Sequence, residues 1–272
     1  MGLMCEVIQV SKSGFYHWMK RQREPVTRRE RYLYVRILEA FEQSGNRYGS
    51  RRIYRTLRSW GVICYENQVA NIMRVNEIKP KTKRKYKWTT DSRHSKNIAA
   101  NLLQRNFKAD KVNKVMVGDI TYIWTKEGWL YLSTVIDLYS RRVVGWKVAD
   151  RITKELVIES LRDALIRRKP AEGLIFHSDR GSQYASDEFV EFLQDNKVLA
   201  SMSRKGDCWD NAVAESFFKT IKSEMIYWYN FKTRAEAELR IFEYIEMFYN
   251  KTRLHSSNDY MSPVDFELRK LS

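Results

Sequence analysis

Apolar residues recur at helical spacing in the first third of the chain and at strand-like density in the middle. Over residues 28–43, Tyr34, Ile37, Leu38 and Phe41 fall on one stripe, the interval that predicts an amphipathic helix. Ser44-Gly45-Asn46 interrupts it. A second helix is predicted over about 50–60, with Ile53, Leu57 and Trp60 inward, and a third over about 66–75, with Val69, Ile72 and Met73 inward. Gly61 stands where the second should stop. Ahead of these, residues 4–18 read as two short helices with Ser11 and Ser13 as candidate caps. Residues 24–31, charged and holding Pro25, read as a connection.

From about residue 107 the pattern changes. Three β-rich runs, 115–124, 129–137 and 141–149, follow one another through short turns, which predicts an antiparallel meander with Lys126-Glu127-Gly128 as a hairpin turn. A helix over 153–168 follows, with Leu156, Ile158, Leu161, Ala164 and Leu165 inward, then a strand over 173–178, a helix over 186–196 and a strand over 197–202. The next helix carries Glu215. The order βββαβαβα is the one expected of a ribonuclease H-like α/β core: a five-stranded mixed sheet with flanking helices, its first and fourth strands adjacent. A last amphipathic helix is expected over 233–250, with Leu239, Phe242, Ile245 and Phe248 on one face.

Candidate chemistry sits on three carboxylates. Asp119 lies inside the apolar run Val115–Trp124, where an unpaired carboxylate is costly. Asp179 follows Leu174-Ile175-Phe176-His177-Ser178 beside Gly181, at a strand-to-loop exit. Thirty-five residues separate Asp179 from Glu215. Lys222, seven residues beyond Glu215, lies on the same helical face two turns on, and Lys219 shares that face. Three carboxylates in one pocket repel one another, and a bound dication removes that penalty. Two ions ~3.5–4 Å apart can hold both the attacking and the leaving oxygen of a phosphodiester. A strand Asp, a strand-end Asp and a helix Glu therefore fit a two-metal phosphoryl-transfer site. For any single one of them, a surface charge is the commoner explanation.

The ordered motifs Gly118-Asp119-Ile120-Thr121-Tyr122-Ile123, Gly128-Trp129-Leu130-Tyr131-Leu132, Asp137-Leu138-Tyr139-Ser140-Arg141, Val144-Gly145-Trp146, His177-Ser178-Asp179-Arg180-Gly181-Ser182-Gln183-Tyr184 and Asp210-Asn211-Ala212 through Glu215-Ser216-Phe217-Phe218 run through the core. In them the chain resembles the DDE transposases of insertion sequences, the OrfB-type catalytic product, which share an integrase core with retroviral integrases. The resemblance covers nearly the whole chain. It departs at Met116 and Gly118, where the family leads one to expect Trp and Thr. It implies that Asp119, Asp179 and Glu215 hold two Mg²⁺ (or Mn²⁺), cut the element's end to free a 3′-OH, and direct that 3′-OH at target DNA. Lys222 is then expected on a terminal DNA phosphate, with His177 and Asn211 behind the ligands. Expected partners are the element's terminal inverted repeats and target DNA, an upstream-frame product or fusion, and a homodimer or larger assembly.

Charge adds a division of labour. The chain carries +16 overall, and residues 1–110 hold 24 Lys and Arg against 9 Asp and Glu. A basic front and a near-neutral back suggest that the front holds a polyanion while the back does chemistry. Arg51, Arg52, Arg55 and Arg58 on the outer face of the second front helix are candidate DNA contacts, as in a helix-turn-helix. Arg204 and Lys205, ahead of the Glu215 helix, suit contact with a strand end, and Asp210 or Asn211 is a candidate cap. Arg253 and His255 in the tail suit core packing first and DNA second. The segment 79–96, with Lys and Arg around Tyr86 and Trp88, reads equally as a DNA-tracking arm or a solvated linker. The expected layout is 1–24 as a partial helix-turn-helix tail, 28–78 as a DNA-binding helical domain, 79–106 as a basic linker, 107–232 as the catalytic core and 233–272 as a helical tail.

No run of 18 apolar residues exists, so no membrane span is expected. Three scattered cysteines and four scattered histidines offer no zinc site and fit a reducing cytoplasm. The resemblance implies nucleoid association in a bacterium. A ribonuclease H-type nuclease without strand transfer is the alternative enzyme; the basic front argues against it. A catalytically dead DNA-binding regulator is the non-enzyme alternative; the three carboxylates argue against that.

Overall fold

The computed structural model describes residues 2–23, 27–81, 98–104, 106, 109–204 and 211–271. The chain divides into two compact units, Met1–Pro80 and Lys81–Ser272. Among the described residues no helix is long and apolar enough to cross a membrane.

The first unit is helical: α1 (Gly2–Val7), α2 (Lys12–Arg23), α3 (Arg28–Gln43), α4 (Ser50–Ser59) and α5 (Glu66–Val75). Thr27 starts α3 with a reciprocal cap. The Glu30 N–H donates to Thr27 Oγ1 at 3.2 Å, and the Thr27 N–H donates to Glu30 Oε2 at 2.9 Å. The buried stripe of α3 is Leu33, Ile37 and Ala40, one residue round from the expected stripe; Tyr34, Leu38 and Phe41 are half-buried. These residues pack with Ile53, Leu57, Val69 and Met73 of α4 and α5, all buried. Gly61 ends α4 at φ +75°, the left-handed conformation that suits glycine, and the Val62 N–H reaches back to the Leu57 carbonyl at 2.9 Å.

The second unit holds a five-stranded sheet in the order β3-β2-β1-β4-β5. Its elements are β1 (Val115–Thr125), β2 (Gly128–Asp137), β3 (Val143–Ala149), α6 (Lys154–Arg168), β4 (Ile175–Ser178), α7 (Asp187–Asp195), β5 (Leu199–Met202) and α8 (Ala212–Glu224). β1, β2 and β3 form the antiparallel meander, while β4 and β5 add in parallel. This is the ribonuclease H-like core, with β1 and β4 adjacent. Met116, Val135, Val144 and Phe176 of the sheet pack with Val157, Leu161 and Ala164 of α6 and Phe189 and Leu193 of α7. Val157 and Ser160 take the inner positions on α6 with Leu156, Leu161 and Ala164, whereas Ile158 and Leu165 are only half-buried.

The tail departs from the expected single helix. α9 (Arg234–Phe242) passes into a π-helix, Glu243–Tyr249, before α10 (Pro263–Leu271). The buried residues are Ala237, Ile241, Tyr244, Ile245, Phe248 and Tyr249. Leu239 and Phe242, expected inward, are 56% and 46% exposed. The wider π turns bring two adjacent pairs inward at once, so a stripe drawn at 3.6 residues per turn selects the wrong face for α9.

Candidate active site

Strand register sets the first two carboxylates level. β1 and β4 run parallel with Val117 opposite His177, so two steps further along each strand stand Asp119 and Asp179. Asp119 lies opposite Thr134 of β2, and its Oδ1 accepts from the Ile120 N–H at 2.8 Å. Asp179 leaves the end of β4, and its Oδ1 accepts from the Gly181 N–H at 2.8 Å. Glu215 is on the first turn of α8 and is exposed. Ala214, Phe217, Phe218 and Ile221 bury the other face of that helix. Asn211, just before α8, donates from Nδ2 to the Gly118 carbonyl at 3.4 Å. Its side chain makes no cap hydrogen bond to the helix, so the expected capping role fails for Asn211; Asp210 lies outside the described residues.

The three carboxylates feel one another. Burial pushes the Asp119 carboxyl well above the usual range, and the charges of Asp179 and Glu215 push the same way against the Ile120 N–H and Lys222. The Asp119 residue keeps partial exposure, so crowding by surrounding atoms rather than full loss of solvent access disfavours its charge. Glu215, though exposed at the surface, is raised by the protein atoms crowding one side of it and then by the Asp179 charge. Burial lowers Lys222, opposed by the Asp119 charge. Among the described residues no group of three or more His, Cys, Asp or Glu side chains is arranged so that it could hold a metal ion as it stands. Two further oxygens near Asp119, Thr134 Oγ1 and Asn211 Oδ1, are buried without a hydrogen-bond partner.

Packing explains the departure at position 118. A Cβ on Gly118 would lie 2.3 Å from Cζ of Phe176. The phenyl ring thus occupies the space that a side chain at 118 would fill, one residue before Asp119. Phe176 in turn packs on Tyr184 and Phe189, with centroids 6.0 and 5.6 Å away.

The remaining sequence-selected residues divide. His177 is buried, with Nδ1 2.8 Å from Ser201 Oγ and Nε2 3.3 Å from Ser203 Oγ. These bonds tie β4 to β5, and Arg180 Nε donates to the Ser203 carbonyl at 2.7 Å, bracing the turn that carries Asp179. Lys222 Nζ stands 4.8 Å from the centre of the Tyr122 ring. Lys219 and Arg204 are exposed; Lys205 lies outside the described residues. Arg51, Arg55 and Arg58 are exposed on α4, and Arg51 Nε bonds Glu66 at 3.2 Å. Arg52 corrects the expected outward row: it is half-buried, its guanidinium 5.5 Å from the Tyr48 ring. Arg253 is buried in a bidentate pair with Glu224 (2.9 and 2.7 Å), which also accepts from Tyr244 Oη at 2.8 Å. His255 is buried edge-on to Tyr249. Both tail residues therefore belong to the packing behind α8.

Tyr184 was not singled out by sequence. Burial, then the charges of Asp119 and Asp179, holds its phenol well above the usual range, and its Oη is buried without a hydrogen-bond partner. Its place at the end of the Ser178–Tyr184 motif was the available signal.

Comparison with known proteins gives a consistent picture. Two models described as integrase core domain match residues 109–208 and 215–271, and one described as HTH-like domain matches residues 27–86. An insertion element IS600 uncharacterized 31 kDa protein of Shigella sonnei is 40% identical, covering 97% of each chain. Transposase InsF for insertion sequence IS3A of Escherichia coli K12 is 39% identical over 99% of this chain and 94% of its own length. Among solved structures, a chain of the simian T-cell lymphotropic virus intasome in complex with PP2A regulatory subunit B56 gamma aligns at TM-score 0.50 and 16% identity. That alignment covers 84% of this chain and 73% of the other, and speaks to fold alone.

Proposed function

Since the chain belongs to the family of insertion-sequence transposases that includes InsF, we propose that Asp119, Asp179 and Glu215 are its catalytic carboxylates and hold two divalent ions, Mg²⁺ or Mn²⁺. The chain is a DNA transposase, a polynucleotidyl transferase with an integrase core and a DNA-binding HTH-like domain. The observation that supports the site assignment is geometric: the register of β1 against β4 sets Asp119 and Asp179 level, and Asn211 ties the start of the Glu215 helix to the Gly118 carbonyl. Their chemistry fits: carboxylates are the hard oxygen ligands these cations take, and the repulsion that raises Asp119 is the penalty a dication removes. When bound, the ions supply activation of the attacking oxygen and charge neutralisation at the scissile phosphate.

The chain's own residues do the positioning. Asp119 is fixed by the central strand and Asp179 by the Gly181 N–H. His177 and Asn211 steady the two strand ends through Ser201, Ser203 and the Gly118 carbonyl. Lys222 meets a phosphate near the reacting end, while Lys219, Arg204 and Lys205 track the backbone beyond it. The α4 arginines hold DNA phosphates, where they add affinity without reading sequence. End cleavage frees a 3′-OH, and that hydroxyl attacks the target phosphodiester. No protein nucleophile takes part. The reaction brings two element ends together, so a dimer or larger assembly on DNA, with an upstream-frame product, completes the reading.

A marked mini-element bearing its own ends, supplied with this chain in cells with and without the upstream frame, tests the proposal. Transposition should be lost with Asp119→Asn, Asp179→Asn or Glu215→Gln at unchanged protein level. Full transposition by any one of these variants would remove that residue from the catalytic set.

A further inference from the structure

The hairpin beyond the active carboxylates carries a surface that the catalytic reading leaves unused. Pairing of β1 with β4 ends at Val117 and pairing of β2 with β3 reaches only to Tyr131, so β1 beyond Tyr122 and β2 before Tyr131 form a two-stranded ribbon. On it, Tyr122 and Trp129 meet edge to face at 5.2 Å, and Trp124 and Trp129 at 4.9 Å. Trp124 is 58% exposed and Trp129 44%. Large aromatic rings held in water forfeit the burial that normally places them inside.

The ribbon is held in place. Thr125 Oγ1 donates to the Gly128 carbonyl at 2.8 Å across the turn. The Lys126 N–H donates to the Phe231 carbonyl at 3.0 Å, and the Arg234 N–H to Glu127 Oε2 at 2.7 Å. Arg234 Nε donates to the Trp129 carbonyl at 3.1 Å. The rings are thus presented by a braced scaffold.

Cations flank the rings at both ends. Arg234 lies beside Trp129. At the other end Lys222 stands over Tyr122, and its charge also reaches Asp119. Flat apolar rings bordered by cations match a partner that presents a π face and a phosphate together. An apolar protein partner would draw no benefit from the flanking charges.

Resting on the DNA-joining reading above, we propose that Trp124 and Trp129 form a stacking platform for a nucleobase unpaired from the DNA end held at the active site, with Lys222 and Arg234 on its phosphates. Holding that base out of the duplex keeps the strand end splayed.

The test is binding of the full chain to three labelled duplexes of the element's end: fully paired, with two unpaired terminal bases, and with those two positions abasic. Wild type should favour the unpaired bases over the abasic end about tenfold, the scale of one base–aromatic stack. In Trp124→Ala/Trp129→Ala that ratio should fall near one. Trp124→Phe/Trp129→Phe should keep most of it, which separates loss of the rings from loss of fold. A wild-type ratio near one, or a ratio kept by the alanine variant, overturns the platform. So does a change in sedimentation of the DNA-free alanine variant with the DNA ratio intact, which would mark a protein contact. Absence of binding to all three duplexes would strike at the DNA-joining reading itself, and the platform would fall with it.

Discussion

Gly118→Ala should destabilise the catalytic core through one ring. The new Cβ would stand 2.3 Å from Cζ and 2.9 Å from Cε2 of Phe176, distances that force the ring or the strand to move. Phe176 is buried and boxed in by Tyr184 and Phe189, so the ring has little room. Overpacking of this kind costs about 1–3 kcal/mol. In a unit of this size that lowers the unfolding midpoint by about 2–10 °C. Phe176→Leu alone should cost about 1–2 kcal/mol by leaving a cavity. The double variant should recover at least about 1 kcal/mol relative to the sum, because the smaller side chain vacates the space the methyl needs. Urea unfolding of the four proteins, followed by near-UV circular dichroism, measures the cycle. If Gly118→Ala stays within about 0.5 kcal/mol of wild type, or the two changes simply add, the ring does not fill the missing side chain's place. The same cycle accounts for glycine standing where the family leads one to expect threonine.

Asp119→Asn should raise the midpoint of the metal-free protein at neutral pH. A carboxyl whose folded pKa is raised destabilises the fold above that pKa, and the penalty vanishes as pH falls below the unfolded value; equal or lower stability of the variant at pH 7 would contradict the reading. Glu267 works in the opposite sense. Burial opposes its charge, but hydrogen bonds from Arg168 and Ser140 and the charge of Arg168 outweigh it and hold the carboxyl below its usual range. Its stabilisation is present above the unfolded pKa of about 4.3 and lost as pH falls through the lower folded one, so Glu267→Gln should be less stable than wild type at pH 7, with the difference shrinking as the solution is made acid below that range. Arg253→Met should cost about 3–5 kcal/mol, since it strands the buried Glu224 carboxylate. Glu224→Gln in the same background should recover part of that loss, and thermal unfolding of the three variants checks it.

Element order and alternation made the sheet legible, because strands with one buried face announce themselves at a period of two. Asp119 was legible for the same reason: a carboxylate inside an apolar strand has few structural excuses. Other features were hidden in residue chemistry that reads as packing. Tyr184 looks like a core aromatic, and only the register of β1 against β4 brings its phenol under the influence of Asp119 and Asp179. Trp124 and Trp129 read as core aromatics, yet they stand on the exposed face of a ribbon whose other face buries Ile123 and Leu130. The α9 stripe was misplaced because a π-helix changes the period without a marker in composition. Arg52 was placed outward with its neighbours, but the Tyr48 ring draws it in.

The most direct test of the central claim is strand joining in vitro. A labelled duplex carrying the element's own end is incubated with the protein, fused to the upstream frame where needed, and Mg²⁺ or Mn²⁺, beside Asp179→Asn. Joined product that appears with the metal, disappears with chelator and is absent from the variant is the expected result. Joining that survives chelation, or persists in Asp179→Asn, would contradict the three-carboxylate account.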